Sequence, residues 1–396
     1  MRNPRAACDD PYGLRQARVL SAENLARARA VISAWPGYAP TPLVALRGIA
    51  AFTGIDCLHY KDEGLRFGLK SFKALGGAYA VARVLLKELA VSHGVAGISI
   101  NDLLAGTYRR QCAEITVTAA TDGNHGRSVA WGARMFGCRC VIFINEAVSV
   151  GRERAIASFG AEVRRNPGSF DDAVRAAQEA AAAPGWHVVP DTSDGTVVAA
   201  PRDVMQGYAV MAAEAIAQLP YVGPPSHIFL QAGVGGMAAA TCGQFWQAFE
   251  GCRPKTILVE PDNAACWFAS LEAGEPVTIS GDVDSLMGGL SCGEVSRLAW
   301  EILDTGADAA MTLPDETAAD TMRLLAEGRH GDAPLVAGES GVAGLAGLLS
   351  VAGDDQARRQ LGLDESARVL VFGTEGATDP ETYTNIVGRS PEEVTA

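Results

Sequence analysis

Residues 114–144 are EITVTAATDGNHGRSVAWGARMFGCRCVIFI, and this stretch decides the fold. An apolar, β-branched run is followed by a polar turn, by a pattern typical of a helix, and by a second apolar run. Strand, helix and strand in this order predict two parallel strands joined by a right-handed crossover. The segment therefore predicts an α/β fold.

The same alternation continues along the rest of the chain. Helix and strand patterns follow in turn as GRERAIASFG, AEVRRNP, DAVRAAQEAAAAPG and WHVVPD. A later group has the strands HIFLQAG, TILVEPD, DAAMTLP and ARVLVFGTEG and the helices VMQGYAVMAAEAIAQL and GVGGMAAATCGQFWQAF. The two groups predict two open parallel sheets that face each other. Ligands of such sheets bind outside the carboxyl ends of the strands, so we expect the functional residues there.

Composition sets the class of protein and excludes some partners. The 396 residues are 48% apolar and 20% charged, enough for a large buried core in two lobes. The formal charge of −13 comes from 33 basic and 46 acidic residues, which disfavours nucleic acid and anionic membranes as partners. No stretch approaches the roughly 20 apolar residues of a membrane span, and no apolar run follows the first arginines. We therefore expect a soluble, cytoplasmic protein.

The nine cysteines predict neither a metal site nor a disulfide framework. Cys138 and Cys140 are one residue apart on an apolar strand, which is not a metal-ligand spacing. Cys266 and Cys292 flank one segment and could approach each other. Reduced thiols with structural roles are expected for all of them in the cytoplasm.

Lys73 stands at the start of a predicted helix, after a polar, glycine-containing loop, in the segment KDEGLRFGLKSFKALGGAYA. A lysine in such a place is usually an ordinary surface residue, because a Schiff-base lysine has no pattern of its own. Its significance therefore depends on the segments that accompany it.

A second helix opens with the polar residues Asp122, Gly123, Asn124 and His125, directly after a strand. Side chains and backbone N–H groups in this position can meet a ligand. Turn and capping chemistry would equally account for the Asp-Gly-Asn run. We expect Asn124 to contact a ligand and His125 to be structural.

A glycine-rich turn separates another strand from its helix in LQAGVGGMAAA. Gly233, Gly235 and Gly236 permit close approach of a ligand, and a helix terminus attracts an anion. The pattern is that of a phosphate-binding loop, although it is not GxGxxG, and the absence of GxxxxGK[ST] disfavours a nucleoside triphosphatase.

Two more polar turns lie nearer the C-terminus. VLVFGTEGATD places Thr374 and Glu375 after a buried strand, and AGESGVAGLAGL places Glu339 and Ser340 before a helix of small residues. Either turn alone is explained by ordinary loop chemistry. Several such turns at strand ends together indicate one ligand.

Five motifs occur in the order FGLKSFK, TDGNHG, GVGGM, GESG and FGTEG, and in this the chain resembles the fold-type II pyridoxal-phosphate enzymes. The resemblance runs from about Pro42 to the C-terminus, and within the group the chain looks most like the diaminopropionate ammonia-lyases. It implies an α/β protein with two open parallel-sheet domains, large and small, and pyridoxal 5'-phosphate in the cleft between them. The implied large, cofactor-binding domain is residues 1–88 and 213–396, the small domain is 89–212, and the expected assembly is a homodimer.

The resemblance also implies roles for individual residues. Lys73 would form a Schiff base with the cofactor, Asn124 would lie near its phenolic oxygen, and Thr374 would face its pyridine nitrogen. Phe72 and Glu339 would also contact the cofactor. The loop on its phosphate would consist of Gly233, Val234, Gly235, Gly236 and Met237.

Two carboxylates are expected to act on the substrate. Asp122 stands where the related serine and threonine dehydratases have a small residue, as it does in the diaminopropionate enzymes. A carboxylate there would attract an ammonium group on the β-carbon and could accept the α-proton. By resemblance, Asp191 is a second functional carboxylate near the leaving amine. The segment 193–197, Ser-Asp-Gly-Thr-Val, departs from the aromatic-rich pattern of the family. The wall of the pocket therefore need not match that of the family, and substrate identity is the inference that this departure affects most.

The predicted function is pyridoxal-phosphate-dependent elimination of ammonia from 2,3-diaminopropionate, which gives pyruvate and a second ammonia. A dehydratase acting on serine or threonine, or a β-replacement enzyme on the same fold, is the first alternative. A non-catalytic ligand-binding protein of this fold is the second, and it is disfavoured because Lys73, Asn124 and the glycine loop are all present.

Overall fold

The computed structural model describes residues 1–7, 9–92, 94–95, 97–121 and 123–396. The helices in these ranges, numbered in chain order, are α1 (Leu14–Ala17), α2 (Ala22–Ile32), α3 (Arg47–Thr53), α4 (Lys73–Ser92), α5 (Ile100–Leu104), α6 (Arg109–Cys112), α7 (Asn124–Phe136), α8 (Val150–Ala157), α9 (Phe170–Ala180), α10 (Ala199–Gln218), α11 (Gly236–Phe249), α12 (Cys266–Ala273), α13 (Arg297–Gly306), α14 (Asp315–Glu327), α15 (Ala343–Ala352), α16 (Asp355–Leu361), α17 (Pro380–Val387) and α18 (Pro391–Thr395). The strands are β1 (Leu43–Ala45), β2 (Cys57–Asp62), β3 (Thr116–Ala120), β4 (Arg139–Ile144), β5 (Glu162–Arg165), β6 (Trp186–Val188), β7 (His227–Gln231), β8 (Lys255–Pro261), β9 (Ala309–Leu313) and β10 (Arg368–Gly373).

The strands form two sheets, which confirms the predicted α/β class. One sheet has the order β1-β2-β10-β7-β8-β9 and is parallel except for the antiparallel pair β1 and β2. The other has the order β5-β4-β3-β6 and is parallel throughout. Every residue of β7 is buried, as expected for a central strand covered on both faces.

The chain divides into two compact units. The larger comprises residues 1–22, 40–72 and 211–396, and the smaller comprises 23–39 and 73–210. The predicted domain ranges stay a prediction, and they differ from these units chiefly at 73–88 and 23–39, which are grouped here with the smaller unit.

Close packing of α4 against α7 explains why the start of α4 belongs to the smaller unit. A Cβ added at Gly132 would lie 2.7 Å from the Cα of Ala78, and one at Gly77 would lie 2.4 Å from Ser128 Oγ. Glycine at these two positions therefore lets the helices approach closely. Ser128 Oγ also donates a hydrogen bond to the Lys73 carbonyl at 2.6 Å, which fixes the first turn of α4 against α7.

Within the described ranges, none of the helices has the length and hydropathy needed to cross a membrane. The cysteines Cys266 and Cys292 are thiols in the structure.

Candidate active site

Lys73 and Asp191 are brought together in the smaller unit. The Lys73 ammonium nitrogen, Nζ, lies 2.5 Å from Asp191 Oδ2, and both side chains are 22% exposed. Lys73 begins α4, and Asp191 follows β6, so the carboxyl end of a strand and the start of a helix supply the pair. Burial alone would raise the pKa of Asp191, but the charge on Lys73 and the ring of His125 outweigh it and hold that pKa well below its usual range. Asp191 is thus an anion, and it is positioned to hold a cation.

His125 borders the same carboxylate. Its Nδ1 lies 3.8 Å from Asp191 Oδ2, and its Nε2 lies 2.6 Å from the carbonyl oxygen of Val189. Because a carbonyl only accepts, Nε2 carries a proton and donates it, which directs Nδ1 towards Asp191. The bond to Val189 is consistent with the structural role predicted for His125 from the sequence. The contact with Asp191 gives His125 an electrostatic role as well.

Asn124 is the first residue of α7 and is half-buried. The N-cap residue of this helix is Gly123, which has no side-chain capping bond, and Thr121 Oγ1 accepts hydrogen bonds from the N–H groups of Gly123 and Gly126 at 3.0 and 3.1 Å. The Thr121 hydroxyl thus satisfies an N–H group of the first turn of α7. Asp122, the predicted base, lies outside the residues that the structure describes.

The predicted glycine loop connects β7 to α11 in the larger unit. Gly235 is the N-cap of α11, its φ is 92°, and it forms no side-chain capping bond. A Cβ added there would lie 2.1 Å from the ring of Trp267, and one at Gly233 would lie 3.0 Å from the carbonyl oxygen of Gly289. Glycine is required at Gly235 and the space at Gly233 is tight, and the first turn of a 14-residue helix offers its N–H groups to an anion.

A buried platform supports this loop. Trp267 is fully buried, and its indole N–H donates to the carbonyl oxygen of Gly233 at 2.8 Å. Glu260, also fully buried, accepts the backbone N–H groups of Trp267 and Phe268, both at 2.8 Å. Burial raises the pKa of Glu260 to about 8 in spite of these donors. Cys266 Sγ lies 3.6 Å from Glu260 Oε1, so this cysteine is part of the platform.

Thr374 follows β10 and is joined to two other segments. Its carbonyl oxygen accepts a hydrogen bond from the N–H of Phe72 at 3.0 Å. Phe72 and Thr374, both predicted to contact the cofactor, are therefore neighbours, and Phe72 directly precedes Lys73 in the sequence. Its hydroxyl oxygen accepts a hydrogen bond from Gln231 Nε2 at 2.7 Å. Thr374 is 2% exposed and lies within the larger unit.

The turn that contains Glu339 is held by the residue after Thr374. Glu339 is buried, and the next residue, Ser340, donates its N–H to Glu375 Oε1 at 3.1 Å. Ser340 Oγ in turn accepts the N–H of Gly289 at 3.0 Å. The GESG turn, the FGTEG turn and the 288–290 segment are thus connected by hydrogen bonds.

Three residues of these networks were missed in the sequence-based predictions, namely Gln231, Glu260 and Trp267. Gln231 and Glu260 are the polar residues at the ends of the apolar runs HIFLQ and TILVE, and that is the signal from which they could have been found. For Trp267 no such signal exists, because a tryptophan in an apolar helix is ordinarily a core residue.

Comparison with known proteins places the chain in a class. Residues 34–375 match the sequence model of the family described as pyridoxal-phosphate dependent enzyme. The chain belongs to this family, and its two parallel-sheet units have the fold-type II architecture.

Within the family, the chain is similar over most of its length to diaminopropionate ammonia-lyases. It is 38% identical to that of Escherichia coli K12 over 356 residues, which cover 89% of this chain and 88% of the relative. It is 37% identical to that of Salmonella typhimurium over 366 residues, 90% of each. A crystal structure of the E. coli enzyme in complex with D-serine matches with a TM-score of 0.86 and 35% identity, covering 98% of this chain and 96% of the other.

The residues present fit pyridoxal phosphate. The loop before α11 has the small residues and helix N-terminus that a phosphate needs, and Lys73 supplies an amine. Thr374 Oγ1 already accepts from Gln231, so its own proton is available to a ring nitrogen. The chain thus has a donor or acceptor suited to each of three groups of the cofactor.

Proposed function

We propose that this protein is a pyridoxal-phosphate-dependent diaminopropionate ammonia-lyase, a carbon–nitrogen lyase that converts 2,3-diaminopropionate and water into pyruvate and two molecules of ammonia. The observation that carries the proposal is the 2.5 Å contact between Lys73 Nζ and Asp191 Oδ2. An amine held by a carboxylate at a strand end suits a substrate that has two amino groups. The similarity to diaminopropionate ammonia-lyases along nine-tenths of the chain supports the same substrate.

Pyridoxal phosphate supplies an aldehyde that bonds to an amino group and a conjugated ring that stabilises negative charge at the α-carbon. Lys73 would bond to the aldehyde, Asn124 would bind the phenolic oxygen, and Thr374 would donate to the ring nitrogen. Phe72 and Glu339 would contact the cofactor. The phosphate would be held by Gly233, Val234, Gly235, Gly236 and Met237.

Two residues are the proposed bases, and a third holds the leaving group. We expect the Lys73 amine to remove the α-proton of one enantiomer of the substrate and Asp122 to remove that of the other, each base being suited to one face of the cofactor. Asp191 is an anion at neutral pH and holds the β-ammonium group, which leaves as ammonia once the α-proton has been removed. The three-carbon product then takes up water and releases the second ammonia.

A dehydratase acting on serine or threonine is the rival activity. The segment that departs from the family pattern forms a compact turn in which Ser193 Oγ donates to the Val197 carbonyl oxygen at 2.6 Å. Thr196 donates from both N and Oγ1 to Asp194 Oδ1, at 2.8 and 2.6 Å. These polar groups satisfy one another, so the turn supplies a small wall in place of aromatic rings. A hydroxyl on the β-carbon would nevertheless leave Asp191 without the cation that it is positioned to hold.

The homodimer and the cytoplasmic location are part of the same proposal. The acidic balance of the chain suits that location, as do the eight cysteines in the described ranges, which are free. Light scattering of the purified protein should give twice the chain mass of 41.3 kDa. A mass of one chain would contradict the dimer, and a secreted, oxidised form isolated from the producing cell would contradict the location.

The role of Lys73 is tested by the variant Lys73→Ala. Borohydride reduction of the parent should fix the cofactor to the peptide that contains residue 73, and the variant should retain no fixed cofactor. Lys87→Ala is the matched control, since Lys87 is an exposed lysine on the same helix. Fixation in Lys73→Ala, or its loss in Lys87→Ala, would show that the lysine is wrongly assigned.

A further inference from the structure

Gln231 is a buried amide at the end of an otherwise apolar strand. It is 3% exposed, and every other residue of β7 is buried too. Its Nε2 lies 2.7 Å from Thr374 Oγ1, 2.8 Å from the carbonyl oxygen of Phe372 and 3.2 Å from that of Gly341. A buried amide is costly unless it is hydrogen-bonded, so this arrangement has a specific geometric requirement.

The two carbonyl oxygens determine which way the amide points. Carbonyl oxygens only accept, so the atom that faces Phe372 and Gly341 must be Nε2, and the reversed orientation would place Oε1 against two acceptors. Nε2 has no lone pair to offer. Towards Thr374 it can only donate, and the Thr374 hydroxyl oxygen must accept. The hydroxyl proton of Thr374 is therefore directed to a different acceptor.

We infer that Gln231 is a positioning residue that makes the Thr374 hydroxyl a donor towards the cofactor ring nitrogen and so keeps that nitrogen unprotonated. The inference rests on the proposed function, in which Thr374 faces that nitrogen. A hydroxyl that makes no other hydrogen bond could either donate to a neutral ring nitrogen or accept a hydrogen bond from a protonated one. Gln231 occupies one lone pair of the hydroxyl oxygen, directs the hydroxyl proton away from the amide and polarises the O–H bond, which favours donation to a neutral nitrogen. Hydrogen bonds to the ring nitrogen are one way in which a protein tunes the electronics of its cofactor.

The test is the protonation of the ring nitrogen, read from its chemical shift in holoenzyme reconstituted with pyridoxal phosphate that carries ¹⁵N in the ring. Gln231→Met removes the donor while keeping a side chain of similar length. It should raise the ring nitrogen's protonation constant about tenfold, the effect of one hydrogen bond to one of the two protonation states. Thr374→Val should give a change of the same size, and the double variant should add little to either single one.

A matched control has the same chemistry elsewhere in the larger unit. Gln16 is buried, and its Nε2 donates to Thr305 Oγ1 at 3.2 Å. Gln16→Met loses the same kind of bond and should leave the ring nitrogen unchanged. If Gln231→Met does not fold, Gln231→Glu keeps the shape and replaces the donor nitrogen by an oxygen, so it should shift the protonation constant in the same direction.

The outcomes separate this inference from the proposed function. If Thr374→Val shifts the protonation constant and both Gln231 variants leave it at the parent value, Gln231 is only structural and the inference is wrong. If Thr374→Val also leaves it unchanged, the placement of Thr374 at the ring nitrogen fails, and with it the basis of the inference. An equal shift in Gln16→Met would show a general effect of destabilisation and would overturn the inference as well.

Discussion

Lys73 and Asp191 form an ion pair, and the charge of each stabilises the charge of the other. In the structure the charge on Lys73 holds the pKa of Asp191 low, and in the proposed reaction the ammonium group of the substrate takes the place of that charge. A substrate with a β-ammonium group supplies such a cation, whereas a β-hydroxyl does not. Under the proposed function, a preference for a diamino acid would therefore depend on Asp191.

Asp191→Asn should lower kcat/KM for diaminopropionate by about 10²- to 10⁴-fold, the usual size of a lost proton-transfer or charge-holding group. The amide keeps the shape of the side chain but can neither remain anionic nor hold an ammonium group as strongly. Initial rates of ammonia release measure the effect. Asp194→Asn is the control, because Asp194 is exposed and accepts hydrogen bonds from Thr196 within its own turn. Comparable losses in both variants would assign the effect to the loop and not to the charge.

Candidate site residues could be selected from their position along the chain, and their roles stay predictions. Lys73, Asn124 and Thr374 each stand at the junction of a strand or loop with the next element, and parallel sheets place such junctions at a ligand. Gln231 could not be assigned in this way, because its function depends on which acceptors surround Nε2, and those come from residues more than 100 positions away.

At the scale of elements, α12 acts as the support of the glycine loop. Its first turn is fixed by Glu260, and its tryptophan packs beneath Gly235 and bonds to Gly233. Trp267 also stacks on Trp300, with ring centroids 6.0 Å apart. The position of the N–H groups at the start of α11, which are predicted to bind the phosphate, thus depends on α12.

Trp267→Phe should weaken pyridoxal phosphate binding about tenfold, because the loop loses the hydrogen bond that holds the Gly233 carbonyl. Titration of cofactor-free protein with pyridoxal phosphate gives the dissociation constant. Trp246→Phe is a matched control, since the buried Trp246 also donates its indole N–H to a backbone carbonyl, that of Asp10, at 2.8 Å. A dissociation constant that rises equally in the two variants would rule out a specific role of α12.

Glu260 should make the stability of the protein depend on pH. Burial raises the pKa of Glu260 from 4.5 to about 8, so between these values the unfolded chain binds fewer protons than the folded one. The free energy of unfolding then falls as pH rises, by at most about 1.4 kcal/mol per pH unit from this group. Glu260→Gln should flatten the decline between pH 5 and 8 in urea unfolding. The exposed control Glu275→Gln should keep the parent slope, and a parent-like slope in Glu260→Gln would refute the assignment.

Element types could be predicted well from hydrophobic periodicity, and their ends less well. The runs EITVTAA, CVIFI, HIFLQAG and ARVLVFGTEG are strands in the structure, and α4 begins at Lys73 as predicted. Strand β1 and its antiparallel pairing with β2 could not be predicted from the sequence. A strand of three residues has too few positions to show a hydrophobic period.

At the scale of the whole molecule, the predicted site residues are spread along most of the chain. Lys73, Asn124 and Asp191 belong to the smaller unit, and Thr374 and the glycine loop belong to the larger one. The order of motifs along the chain allowed the family to be predicted, since five motifs in a fixed order are far more specific than any one of them. Substrate identity could not be fixed in that way, because segment 193–197 departs from the family pattern and its effect depends on packing.

The most direct test of the account is the stoichiometry of products from the purified holoenzyme. D- and L-2,3-diaminopropionate, serine and threonine are supplied separately, and ammonia and 2-oxo acid are counted in each reaction. The account predicts two ammonia for every pyruvate from diaminopropionate, a kcat/KM for it well above those for serine and threonine, and no product with Lys73→Ala. Turnover of serine or threonine with one ammonia per 2-oxo acid, and none of diaminopropionate, would contradict it.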